Sequence, residues 1–262
     1  MQAMADHTIP TGWTLVSLRP QGQNAALRRA SGPLGGHLLA LPPWRLRRQS
    51  SSVVLSKLNA ALMADCVVFT SPAAVHAAAA LRPLPATAAV PWLAVGEGTQ
   101  RALQAHGVQG VQAPARMDSE GLLALPVLAQ PGGQRIGLVT APGGRGLIAA
   151  QLAAAGAQVV RADVYQRAPL RLPARALSRL ARLPRPWVLA VSSGEALART
   201  WAQLPPAWQQ QLQAHARVVV ASDRLAAQAQ ALGLQRIDVA GGPTALQLVQ
   251  AAHAALTAPA VT

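Results

Sequence analysis

The chain has a single cysteine, Cys66, so no disulfide can close within it, and a reducing compartment is the expectation. Cys66 stands before a run of β-formers and reads as a small core residue rather than a thiolate. Aromatic residues make up 3% of the chain while hydrophobic residues make up 51%, which leaves Ala, Val and Leu to build the core. Acidic residues number nine, and Lys57 is the only lysine among 23 basic residues. The resulting charge of +14, almost all arginine, has two readings. One is codon bias in a GC-rich genome. The other is attraction of a polyanion, whether nucleic acid, membrane headgroup or a substrate bearing many carboxylates. No apolar run reaches the roughly 18 residues of a membrane span. The opening residues, MQAMADHTIPTGW, lack the basic-then-apolar order of a signal peptide, so a cytoplasmic protein is expected. The six histidines are scattered without ligand spacing, which predicts no metal site, and the tryptophans do not interleave with basic residues as single-stranded nucleic-acid binders require.

What is present is an alternation. WTLVSL precedes QNAALRRA, DCVVFTS precedes PAAVHAAAAL, PWLAV precedes EGTQRALQAHG, and QRIGLVT precedes RGLIAAQLAAAG. WVLAVSS then precedes GEALARTWAQL, and ARVVVAS precedes DRLAAQAQALG. Repeated strand-then-helix order predicts parallel sheets covered by helices on both faces.

The alternation is itself duplicated. VGEGTQRALQAHGVQGVQAP lies over ASDRLAAQAQALGLQRIDVA at an offset of 126 (221 − 95). That offset sets Gly107 on Gly233, each able to end a helix in the left-handed conformation, and Val111 on Ile237 in a following strand. TLVSLRP matches GLVTAPG with Leu15 on Leu138, and FTSPAAV is echoed by VSSGEAL with Ser71 set against Ser192 (192 − 71 = 121). The copies do not run in the same order, because the LVS strand precedes its TS-like partner whereas LVT follows its own. One topology accounts for this. Residues 1–40 and 172–262 form a discontinuous α/β domain, residues 49–163 form an inserted copy, and 41–48 and 164–171 are the two crossing linkers. A double crossover implies a hinge, and a cleft between similar domains is a natural ligand site.

The hydroxyls at the strand ends raise three options: nucleophile, helix cap or ligand donor. A nucleophile has no reason to be duplicated, and no histidine is placed by sequence to activate Ser71. Thr70 and Ser71, like Ser192 and Ser193, are therefore expected to cap the following helices and to turn hydroxyls and amides toward a ligand. Arg145, in APGGRG, follows a strand end, where open parallel sheets bind ligands. GGRG lacks both the Lys-Ser/Thr of a P-loop and the GxGxxG order, so a carboxylate suits this loop better than a nucleotide. Arg19, in SLRP, is its rough counterpart, and for both the plain alternative is a solvated arginine.

In the order and spacing of LVSLRP, VVFTSPAAV, LAVGEGTQRAL, LVTAPGGRGLIAAQLAAAGAQVVRADVYQR, WVLAVSSGEAL and VVVASDRLAAQAQALG, the chain resembles the uroporphyrinogen-III synthase family from Trp13 onward. The turn carrying Val164, Tyr165 and Arg167 is the most diagnostic piece. The resemblance implies two similar flavodoxin-like α/β domains on a two-stranded linker, with the substrate held between them. It implies cyclisation of the linear tetrapyrrole hydroxymethylbilane, with loss of water and inversion of the last pyrrole ring, and no metal or organic cofactor. The scarcity of acidic groups suits a substrate with eight carboxylates, and guanidinium forks match such groups. By the same resemblance Tyr165, the only tyrosine, assists departure of the hydroxyl, its plain alternative being a half-buried linker aromatic with a wet hydroxyl. Thr99 is expected to cap its helix or bind a carboxylate, and Arg224 stands where many relatives have Gly-Thr. A monomer is expected, with transient contact to neighbouring pathway enzymes left open. The rival reading, a hinge-type binding protein without catalysis, shares the duplicated domains.

Overall fold

The structure, a computed structural model, describes residues 12–87, 89–143, 146–183 and 186–257. The first strand, β1 (Trp13–Ser17), is buried at all five positions. It lacks polar alternation because a sheet covered on both faces has no wet side. In chain order there follow α1 (Ala25–Ser31), β2 (Gly36–Ala40), β3 (Trp44–Arg48), α2 (Ser52–Leu62), β4 (Cys66–Phe69) and α3 (Pro72–Leu81). Next come β5 (Trp92–Ala94), α4 (Glu97–Ala105), α5 (Ser119–Leu123), β6 (Arg135–Thr140), α6 (Leu147–Ala154), β7 (Gln158–Asp163) and β8 (Tyr165–Pro169). The chain continues through α7 (Ala174–Ala181), β9 (Trp187–Val191), α8 (Gly194–Trp201), α9 (Pro206–His215), β10 (Arg217–Val220), α10 (Asp223–Ala231), β11 (Arg236–Val239) and α11 (Ala245–Thr257).

These elements form two compact units, one from residues up to Arg45 and from Pro169 onward, the other Leu46–Ala168. The discontinuous unit holds a five-stranded sheet of order β11-β10-β9-β1-β2. The inserted unit holds a four-stranded sheet of order β5-β4-β6-β7. Every described pairing within these two sheets is parallel. The chain crosses between the units on β3 and β8, a two-stranded antiparallel sheet. It is flanked by the bonds from Gln49 N to the Val164 carbonyl and from Leu170 N to the Pro43 carbonyl, both 2.9–3.0 Å.

The duplication read from sequence is visible strand for strand: β10, β9, β1 and β2 stand in the order of β5, β4, β6 and β7. Leu15 and Leu138 sit in corresponding strands, and Gly107 and Gly233 end α4 and α10 with φ of 87° and 82°. Two details depart from expectation. The strand expected at Val111 is reduced to one parallel bridge, between Leu93 and Gln112, so the inserted sheet is one strand short of its twin. The helix caps are Ser71 and Ser193, which moves the register from 121 to 122 (193 − 71) and lays FTSPAAV on VSSGEAL without a gap.

In the inserted unit the side chains of each strand divide between two faces, as the period of two demands. Val67 and Phe69 join Trp92, Ala94 and Val139 in one cluster, whereas Cys66 and Val68 join Leu93, Ile136 and Leu138 in the other. Cys66 is fully enclosed, and burial pushes its thiol up to about 11, the inert core residue the sequence suggested. Gly137 in β6 is a packing requirement, since a Cβ there would run into the carbonyl of Ala61 in α2. No helix among the described residues is long and apolar enough to cross a membrane.

Candidate active site

Because the strands of the inserted sheet are parallel, their carboxyl ends share one edge, and the residues that leave β4, β6 and β7 converge there. They line a recess of about 210 Å³ whose polar groups are Thr70, Ser71, Ser119, Thr140, Tyr165, Arg161 and Arg167. No carboxylate is among its described lining residues. Two glycines of the β6–α6 loop, Gly143 and Gly146, also face it, with φ of 88° and 64°. The loop delivers the first turn of α6, whose leading amides have no intrahelical acceptor and carry the positive end of the helix dipole.

Tyr165 is 5% exposed and its ring belongs to the core of this unit, so the ring is buried rather than half-buried, and the residue lines the recess. Its hydroxyl lies 3.1 Å from Ser71 Oγ. Ser71 in turn accepts the Ala74 amide at 3.1 Å and so caps α3. One serine thus ties the helix start to the tyrosine. Thr70 does not cap: its hydroxyl donates to Thr140 Oγ1 at 2.8 Å, binding the ends of β4 and β6 together. The guanidinium of Arg167 reaches the glycine loop, where a Cβ on Gly143 would meet Nη1 at 3.4 Å.

Thr99 does not open its helix. Gly96 holds the cap position of α4, and Thr99 is the third helical residue, buried at 2% exposure and outside the recess lining. Arg145 lies outside the described residues. Arg19, Ser192, Ser193 and Arg224 belong to the other unit, where Arg19, Ser192 and Ser193 follow the carboxyl ends of β1 and β9 and Arg224 lies in the first turn of the helix after β10. There Ser193 caps α8 through the Ala196 amide at 3.3 Å, and Ser192 is half-buried beside it without capping. Arg19 is not a free surface cation: its Nη2 donates to the Pro243 carbonyl at 3.1 Å, and burial lowers its pKa. Arg224 is exposed.

Thr140, Ser119, Arg161 and Arg167 are not among the site residues that the sequence pattern points to. Thr140 had a visible signal, its place over Ser17 in the LVT/LVS pair, but Ser17 spends its hydroxyl on Asn24 Oδ1 at 2.7 Å, so the duplicate misleads. For Arg161 the sequence offers only its position two residues before Asp163 on an edge strand. Among the described residues no group of three or more His, Cys, Asp or Glu side chains converges to hold a metal ion.

Fold and recess together define a class: duplicated, permuted α/β proteins with a cationic, hydroxyl-lined recess at the carboxyl edge of a parallel sheet. The family described as "Uroporphyrinogen-III synthase HemD" matches residues 25–250. The chain belongs to the uroporphyrinogen-III synthase family. It is 34% identical over 150 residues to the uroporphyrinogen-III synthase of Escherichia coli and 34% over 152 residues to that of Salmonella typhimurium. Each match covers 57% of this chain and 61% of the relative, less than two thirds of the relative's length. Among solved structures, a mutant uroporphyrinogen III synthase of Thermus thermophilus superposes with a TM-score of 0.62 at 18% identity, covering 94% of this chain and 99% of that one. The Helicobacter pylori uroporphyrinogen-III synthetase gives 0.59 at 13% identity, covering 90% and 96%. At such identities these likenesses speak to the fold.

Proposed function

We propose that the chain is a uroporphyrinogen-III synthase, cyclising hydroxymethylbilane to uroporphyrinogen III with loss of water and inversion of the last pyrrole ring. The observation that carries the reading is the hydroxyl of the buried Tyr165, 3.1 Å from the helix-capping Ser71, in a recess whose described lining residues include Arg161 and Arg167 and no carboxylate. Loss of hydroxide from an electron-rich pyrrole carbinol is easy, and ring closure without inversion proceeds unassisted. Catalysis here is therefore chiefly positioning. Ser71 accepts the Ala74 amide, which leaves its own proton for the Tyr165 oxygen; in that arrangement the phenol O–H is free to protonate the departing hydroxyl. The substituted carbon of the last ring then attacks to give a spiro intermediate. Its rearrangement releases a proton that returns to the phenolate.

Arg167, the first amides of α6 and the hydroxyl of Thr140, which accepts from Thr70 and keeps its own proton to donate, supply the cationic and hydrogen-bonding wall for substrate carboxylates, while Thr70 and Ser71 hold that wall together. From its place in the APGGRG sequence alone, Arg145 is a further partner for a substrate carboxylate. At the carboxyl edge of the other unit's sheet Ser192 and Ser193 are the hydroxyls that can donate to a carboxylate, since Ser193 as a cap only accepts. Arg224 offers an exposed charge there, while Arg19 and Thr99 serve mainly to hold backbone and core. We place the protein in the cytoplasm, in keeping with its single buried thiol, and expect a monomer.

The test supplies hydroxymethylbilane to the purified protein, oxidises the products and separates the porphyrin isomers. Type III porphyrin in excess of type I is the expected result. Accumulation of type I alone, as without enzyme, would falsify the proposal.

A further inference from the structure

Arg161 and Asp163 lie two residues apart on β7, on the same face of an edge strand. Arg161 Nε donates to Asp163 Oδ1 at 3.0 Å and Oδ2 at 3.2 Å, Nη2 approaches Oδ1 at 2.9 Å, and the same Nη2 donates to the Ala141 carbonyl at 2.9 Å. Ala141 is the first residue of the glycine loop that leads to α6. The two side chains are 35% and 36% exposed. An ion pair so wet contributes little to stability, so folding alone does not account for it.

Its position does. Asp163 ends the strand next to β6, in register with the recess residue Thr140, and Arg161 is itself part of the recess wall. Asp118, the neighbour of the lining Ser119, is held the same way, by Arg116 Nε at 2.7 Å.

We infer that Arg161 is a positioning residue that cancels the charge of Asp163 beside the recess, so that carboxylates of the substrate meet no anion there. The inference rests on the proposed function for the identity of the substrate. Removing Arg161 does two things: it frees the Ala141 carbonyl of the loop and exposes the Asp163 carboxylate. Only the second is reversed by neutralising Asp163, and this separates a charge role from a structural one.

The experiment compares Arg161→Met, Asp163→Asn and the double variant with the parent protein, in kcat and KM for hydroxymethylbilane. One uncompensated charge facing a partly solvated polyanion raises KM on the order of tenfold in Arg161→Met, with kcat changed less. The double variant recovers KM to within about threefold of the parent, and Asp163→Asn alone does not raise it. A double variant as impaired as Arg161→Met, or an Arg161→Met with unchanged KM, overturns the inference. If the parent protein yields no type III isomer, the proposed function falls by itself. The Arg161 inference is then decided by the Kd of uroporphyrin III, an octacarboxylate, for the same four proteins, measured by fluorescence with the same order of effects expected.

Discussion

Tyr165 and Ser71 show how one hydrogen bond can join a fold to its chemistry. Ser71 is needed by α3 whatever the substrate, because an uncapped helix start costs about 1 kcal/mol. That requirement also holds its Oγ beside the tyrosine hydroxyl. In Tyr165→Phe the ring still fills the core and Ser71 still caps Ala74, so the thermal midpoint should move by no more than about 1 kcal/mol of stability. The rate of type III formation should fall by roughly 10²- to 10³-fold, the usual range for a positioned general acid. Isomer analysis beside a thermal melt checks both, and an undiminished type III yield in a folded variant removes the phenol from the mechanism. Tyr165 was legible as a candidate through its place in the VYQR turn. Its burial was not, because a lone tyrosine in a linker-like stretch shows no periodicity that reports which way it faces.

Elements carry the constraints that side-chain identity alone conceals. Gly137 in β6 reads in sequence as one weak spot in a strand, yet it is the point where α2 lies against the sheet. Gly137→Ala places a methyl against the Ala61 carbonyl, and relief requires the helix to lift. Such overpacking typically costs about 1–3 kcal/mol. Chemical denaturation should show that loss as a lower midpoint with an unchanged slope. A variant as stable as the parent would mean that α2 shifts freely. The caps behave similarly: Ser71 and Ser193 serve α3 and α8 as the duplicated motif indicated, whereas Thr70 turns to Thr140. Nothing local distinguishes Thr70 from Ser71 as a cap. The choice follows from which of them the last strand residue leaves facing the neighbouring strand.

Across the whole molecule, the inserted unit carries two apolar clusters that close entirely within residues 46–168, one on each face of its own sheet. A cluster of the discontinuous unit closes among residues from its two segments, Trp13 to Leu27 and Val188 to Ala255. The excised segment 46–168 should therefore fold cooperatively, with stability in the range of roughly 5–15 kcal/mol usual for domains. A single sigmoidal melt followed by circular dichroism is the expected result. A non-cooperative melt would show that the insert depends on its host.

By itself the sequence determined the strand-helix alternation, the duplication, its permuted order and the glycine stops. Each of these is a local or periodic property that a linear string records. Only the tertiary structure decided which residues share the recess. Thr70, Thr140, Arg161 and Tyr165 are separated by up to 95 positions in the chain and meet because parallel pairing brings the carboxyl ends of three strands to one edge. It likewise decided that the strand expected at Val111 is reduced to a bridge at Gln112, and that Arg19 is tied to a carbonyl while Arg161 guards a carboxylate. Those outcomes depend on register and reach across strands, which no spacing along one strand encodes.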